Sequence, residues 1–354
     1  MIDTAERLAN FLTRLRDADW VAIDTEADSL HAYPEKLCLV QISLEGSDDL
    51  IDTLATLELQ PLWTELRQHE LIFHGADYDL RLLRKAQNFV PERIFDTMLA
   101  ARLLGYKEFG LSHLVEKLLG VKLEKGAQRA DWARRPLTET MAQYARNDTR
   151  FLKPVADLLR QQLQDKGRLS WHQETCARLI EDCAEAPVID TDQVWRIKGS
   201  SQLGRPALAV LRELWHWREA EAHRRNTPPY FILSHEAMVG LAVAAIQGQW
   251  QEFPFPRSIS PRRKTQLEQA VTKGLSLAEP EQPRILQRIF HSPTEAEKRR
   301  FEELNRRRDH AAKELAIEPT LIASRATLSL LARDRESQAG DLMQWQRQLL
   351  EQPG

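Results

Sequence analysis

Apolar positions along the chain change their period several times. In MIDTAERLANFLTRL, Leu8, Phe11, Leu12 and Leu15 recur at helical spacing, which predicts an amphipathic helix with Asp3 as N-cap and Glu6 three residues on. WVAID, KLCLVQISL and DLIDTL follow, short apolar runs separated by turn residues, and these predict an antiparallel meander of three strands. Strand and helix patterns then alternate. TLELQPLWTELRQ reads as a helix, LIFHG as a strand, DYDLRLLRKAQ as a helix, and RIFDTMLAARLLG as a short strand running into a helix. LSHLVEKLLG is helical, and a helix across MAQYARNDTRFLKPVADLLRQQLQ closes a first domain near residue 165. A meander followed by βα units implies an α/β domain with a mixed sheet.

Beyond that point the pattern predicts helices alone, and it repeats. Residues 211–242 lie over 301–332 at an offset of 90. Without gaps, Leu214, Arg218, Ala222, Pro229, Ile232, Ser234, Leu241 and Ala242 match Leu304, Arg308, Ala312, Pro319, Ile322, Ser324, Leu331 and Ala332. The matches mark a helix, a Pro-containing turn, a Ser able to cap, and a second helix. The preserved Pro and Ser favour a duplicated small helical domain over chance similarity of two helix pairs. The expected boundaries are 1–165 for the α/β domain, 166–204 for a helical linker, 205–282 for the first helical domain and 286–354 for the second, divergent one.

Composition narrows the setting. At 354 residues, 42% hydrophobic and 29% charged, the chain has a globular balance and is long enough for two or three domains. It shows no apolar stretch of membrane-spanning length, and its N-terminus carries acids where a signal peptide would be apolar. Cys38, Cys176 and Cys183 have no metal-site spacing and suit a reducing, cytoplasmic setting. The net charge of −3 conceals an asymmetry: residues 1–100 carry 9 basic and 19 acidic side chains, residues 101–150 carry 10 and 6, and residues 201–354 carry 23 and 19. An acidic segment followed by mildly basic ones leans towards metal-binding carboxylates beside surfaces that touch a polyanion.

Candidate chemistry begins where VAI runs into Asp24 and Glu26. Side chains alternate on a strand, so these two acids share one face and Thr25 takes the other. Close carboxylates repel, and partial burial adds to the cost unless a cation sits between them; hard oxygen donors suit magnesium or manganese. Taken alone, a D-x-E of this kind is better explained as a strand end fraying into a turn. Three more acids bear on it. Asp77 and Asp79 fall in a helix's first turn just after a strand, Asp77 suiting an N-terminal cap, and Asp148 follows Tyr144 by one helical turn. Asp24, Glu26, Asp79 and Asp148 are the four acids that two divalent ions need for in-line displacement at phosphorus, with Tyr144 beside the attacking water.

D-T-E, H-G-A-D-Y-D and Y-A-R-N-D, in that order, resemble the motif set of the DEDD exonucleases in the variant with Tyr four residues before the last Asp, and within it the ribonuclease D family. FDTMLAARLLG and VKLEKGAQRADWARRPLTE are similar to that family as well, and the repeated helical pair resembles its HRDC domains. The resemblance implies a ribonuclease-H-like α/β exonuclease domain with a mixed sheet, followed by two all-α HRDC-like domains. It implies Asp24, Glu26, Asp79 and Asp148 as ligands of two magnesium or manganese ions, and Tyr144 as the water-positioning residue. It further implies stepwise release of nucleoside 5′-monophosphates from the 3′ ends of tRNA precursors and other structured RNA. ADSLHAYPEKLCL, after D-T-E, departs from the pattern towards exosome-type nucleases, which bears on substrate choice more than on chemistry. The second helical copy lacks the aromatics of the first, Trp215, Trp217, Tyr230 and Phe231.

Other features leave alternatives open. Gln128, Arg129, Trp132, Arg134 and Arg135 form a basic and aromatic loop that suits RNA, by phosphate contact or base stacking, or else packs beneath Trp132. PFPRSISPRRK (254–264) reads as a solvated linker before it reads as a phosphate contact, and His74 as a core histidine before a ligand. RNA is the expected partner, with no membrane and no obligate protein partner. A DNA exonuclease keeps the same chemistry with another substrate. A non-enzymatic RNA-binding scaffold is disfavoured by the complete set of four acids and tyrosine.

Overall fold

The computed structural model describes residues 1–124, 126–186, 188, 190–254, 259–286, 291–334 and 339–351. They fall into two compact units. The first comprises residues 1–27, 37–186 and 291–354, and the second 28–36 and 187–290.

The first unit opens with α1 (Ala5–Arg16), which buries Leu8, Phe11 and Leu15. Its N-cap is Thr4, whose side chain accepts from the Arg7 amide, one residue later than expected; Asp3 instead pairs with the Arg7 guanidinium. Three strands follow, β1 (Val21–Ala27), β2 (Leu37–Leu44) and β3 (Ser47–Asp52), paired antiparallel. Then come α2 (Gln60–Leu66), β4 (Glu70–Phe73), α3 (Asp77–Gln87), β5 (Arg93–Asp96), α4 (Thr97–Leu104) and α5 (Leu111–Leu119). The sheet order is β3-β2-β1-β4-β5, with β4 and β5 parallel to β1 and to each other, so the sheet is mixed as expected.

Strand alternation splits the core. Val21, Ile23, Leu71 and Phe73 face the layer that holds α1, α2 and α3, whereas Ala22, Ile72 and Phe95 face the opposite layer with α4 and α5. The helix expected to close the domain is two helices, α6 (Glu139–Arg150) and α7 (Leu152–Asp165), broken at Phe151. Pro154 explains the break: it has no amide hydrogen to give the Arg150 carbonyl, and its ring would clash there. The expected linker contains α8 (Leu169–Ala184), whose Cys176 and Cys183 sit in the core of this unit.

The second unit contains α9 (Arg205–Arg225), α10 (Pro229–Ile232), α11 (His235–Ile246) and α12 (Pro261–Ser276). Pro261–Lys264, read as linker, is the first turn of α12 with Ser260 as its cap; residues 255–258 of that stretch lie outside the described residues. The repeat is visible in three dimensions. Helices α13 (Glu295–Leu315), α14 (Pro319–Ile322) and α15 (Arg325–Arg333) reproduce α9–α11. Ser234 and Ser324 cap α11 and α15, and Asn226 and Ala316 end α9 and α13 in the left-handed conformation.

The second copy was expected as a domain of its own. Its residues instead complete the core of the first unit together with α16 (Gln344–Glu351). Ile322, Leu331 and Trp345 share a cluster with Leu103, Leu152 and Leu159. Arg168 donates to the carbonyls of Leu103 at 2.7 Å and Leu315 at 2.9 Å, and Trp171 stacks on Trp345. Gly105 approaches the Ala316 carbonyl so closely that a Cβ would stand 2.2 Å from its oxygen. Among the described residues no helix is long and apolar enough to cross a membrane.

Candidate active site

At the end of β1 the sheet runs out on one side, because β4 pairs with β1 only at Val21 and Ala22. The residues after them border a cavity of about 650 Å³ lined by Asp24, Glu26, Asp79, Tyr144, Asp148 and His74, among others. Asp24 and Glu26 share the face of Ala22, and Asp148 reaches them from α6. These three each offer an oxygen, and the oxygens lie within 4.8 Å of one another. Asp79 lines the same cavity from the first turn of α3 but stands outside that tight set. Its Oδ1 accepts the Thr25 hydroxyl at 2.5 Å.

The electrostatics are those of crowded, buried acids. Burial first, then the carboxylates of Asp79, Asp148 and Glu26, hold Asp24 protonated well above the usual carboxyl range. Burial, followed by Asp148 and Asp79, pushes Glu26 up to about 9. Burial also takes Asp79 and Asp148 up to about 7, against the hydrogen bonds from Thr25 and Tyr144 respectively. The Tyr144 phenol is raised far above its ordinary value by burial and by the carboxylates around it, and it hydrogen-bonds Asp148 one turn along α6. All-oxygen donors whose protein surroundings leave them short of positive charge fit a divalent cation such as magnesium or manganese.

The acids are held by groups that sequence reasoning did not single out. Asp96, at the end of β5, accepts from the amides of Gly75 at 3.0 Å and Ala76 at 2.8 Å, while capping α4 through Met98 and Leu99. It thereby fixes the loop that leads into α3 and Asp79, and leaves Asp77 as a first-turn acid paired with Arg81. The signal was present, an Asp between strand and helix patterns in RIFDTMLAA. His74 packs near the site with Nδ1 2.9 Å from the Thr97 hydroxyl, consistent with a satisfied histidine. Gln41, opposite Asp24 in the β1–β2 register, has its Nε2 3.5 Å from Asp24 Oδ2.

Of the loop expected to touch RNA, Gln128 lines the cavity, and Arg129 and Arg134 are exposed. Trp132 and Arg135 require correction. Trp132 is 1% exposed, packed with Cys38, Leu39 and Met141, and therefore unable to stack on a base. Arg135 is tied to Asp52 through Nε at 2.7 Å and Nη2 at 2.6 Å, and to the carbonyls of Cys38 and Trp132. Together they anchor the loop whose Gly126 rests against the Tyr144 ring.

The similarities to known proteins follow these divisions. A family described as 3′-5′ exonuclease matches residues 1–164, and one described as HRDC domain matches residues 207–251. Ribonuclease D of Zymomonas mobilis is 33% identical over 346 residues, which cover 96% of this chain and 83% of that protein. Ribonuclease D of Gluconacetobacter diazotrophicus is 34% identical over 249 residues, 69% of this chain and 63% of that one. The chain thus spans just under two thirds of the length of several curated relatives it matches. The crystal structure of Escherichia coli RNase D, described as an exoribonuclease involved in structured RNA processing, shares the fold over 100% of this chain and 99% of that one. Its TM-score is 0.76 at 25% identity.

Proposed function

The chain belongs to the ribonuclease D family, and we propose that it is a 3′→5′ exoribonuclease that trims tRNA precursors and other RNAs in the cytoplasm. The observation that supports this most directly is the meeting in one cavity of Asp24, Glu26, Asp79, Asp148 and Tyr144, residues from three separate motifs. In this reading Asp24, Glu26, Asp79 and Asp148 hold two divalent ions, magnesium or manganese. Bound there, the ions supply positive charge at the attacking and leaving oxygens of an in-line displacement. Tyr144 keeps its proton and directs the water through its hydroxyl, oriented by Asp148. Water's oxygen bonds to phosphorus, the bond from phosphorus to the 3′ oxygen breaks, and a nucleoside 5′-monophosphate leaves. The 3′ oxygen left on the shortened RNA takes up a proton given up by the attacking water and becomes its new 3′ hydroxyl.

Substrate choice draws on the relatives, since the Escherichia coli protein is described as processing structured RNA. The segment matched as an HRDC domain (207–251) is the proposed grip on the body of such an RNA. The test incubates purified protein with 3′-extended tRNA and with single-stranded DNA, in magnesium and in manganese, beside the Asp24→Ala variant. Release of mononucleotides from RNA by the unsubstituted protein, lost in the variant, supports the reading. Release from DNA alone moves the substrate to DNA, and release from neither removes the enzyme.

A further inference from the structure

The tight carboxylate set draws all its members from one side of the sheet. Asp24 and Glu26 project from β1 on the side of Ala22, and Asp148 comes down from α6. Asp79 arrives from the other side: α3 packs its Leu80, Leu82 and Leu83 in the same layer as Val21 and Ile23. Thr25 lies between the two acids of β1, so its side chain points into that second layer. There its hydroxyl meets Asp79 Oδ1, with both residues only 6% exposed. The bond sits in the cavity wall, largely shielded from solvent, and the hydroxyl can only donate to an ionised carboxylate.

We propose that Thr25 is the positioning residue for Asp79: by engaging Oδ1 it fixes which oxygen Asp79 turns towards the other three acids, and so sets the site's affinity for divalent ions. One strand thereby supplies two ligands on one face and the brace for a third on the other. Partners that orient a metal ligand typically change metal affinity 10–100-fold when removed. The inference rests on the metal reading above, but it concerns binding and is separable from turnover.

The test measures manganese binding to the full chain by calorimetry. Thr25→Val keeps shape and strand preference while deleting the donor, and should weaken binding by about 10–100-fold with the folded state intact by circular dichroism. Thr25→Ala carries the same expectation and serves if Val disturbs the packing. Thr25→Ser keeps the hydroxyl and should stay within a few-fold of the unsubstituted protein. In an Asp79→Asn background, Thr25→Val should add little, because the two act as one unit. Unchanged affinity in both Thr25→Val and Thr25→Ala overturns the proposal. So does a Ser variant as weak as Val, or fully additive losses in the double variant. Absence of manganese binding in the unsubstituted protein would strike the metal reading itself, and this inference with it.

Discussion

Gly126 lies so close to Tyr144 that a Cβ placed on it would stand 2.3 Å from Cδ2 of the ring and 3.0 Å from Cγ. The glycine acts as a backstop that sets where the phenol points. A Cβ at Gly126 requires a shift there, and in Gly126→Ala we expect the Tyr144 ring to move, although no metal ligand is touched. Displacements of about 1 Å can cost on the order of 100-fold in rate. We expect kcat on RNA to fall by about that factor with manganese affinity unchanged. Equal kcat in the variant would show that the loop yields instead of the ring.

Tyr144→Phe isolates the hydroxyl. The ring still packs beside Trp132, 6.1 Å away between centroids, and all four acids remain. Loss of one group positioned on the attacking water is expected to cost about 100-fold, the lower end of the range for a positioned proton-transfer group. The expected result is a slow enzyme with normal metal affinity, read from single-turnover rates beside calorimetry. A fall in metal affinity as large as the fall in rate would make Tyr144 structural.

The raised carboxyls predict a pH dependence with a definite sign. Glu26 is pushed up to about 9, and Asp79 and Asp148 to about 7. The folded state therefore holds protons that the unfolded chain has already released near pH 4–5. Stability these groups contribute is fully present at low pH and is lost as pH rises through the folded values. With a chelator present, the melting temperature should fall between about pH 5 and pH 9. Divalent ions compete with those protons, so added manganese should stabilise the protein increasingly as pH rises. A melting temperature flat across that range in chelator would contradict the burial of these acids.

The packing of the second helical copy predicts where truncation fails. Gly105 combines a φ of 88° with a backbone neighbour at 2.2 Å from any added Cβ. Gly105→Ala should destabilise the first unit by at least about 1–3 kcal/mol, measured by urea unfolding. Removing residues 291–354 should be worse, because it strips Leu103, Leu152 and Leu159 of their buried partners. A truncated protein that still unfolds cooperatively and cleaves short RNA would show that these contacts are dispensable.

The elements of the α/β domain were legible because each has its own period, and the site was legible because acids interrupt apolar patterns at strand and helix ends. Asp24 and Glu26 could be placed on one face from alternation alone. What remained hidden depends on distance in three dimensions. Thr25 reads in sequence as the residue between two acids; only the position of α3 shows that its hydroxyl reaches Asp79. Trp132 and Arg135 look like a nucleic-acid loop by composition, and only their burial and the Asp52 pairing show otherwise. The repeat at 301–332 was plain in sequence, but nothing in an amphipathic helix says which apolar surface it will cover.

That last placement bears on how the protein is made. A ribosome delivers β1 through α8 long before α13 through α16, with residues 187–290 emerging in between. At roughly 5–20 residues per second, Leu163 waits on the order of ten seconds or more for Trp345, which belongs to the same cluster. Through that interval the nascent first unit carries an uncovered apolar face, while the intervening helical unit already has every helix of its own core in hand. The middle of the chain can finish folding before the α/β part made ahead of it, and the first unit becomes whole only as the last helices arrive.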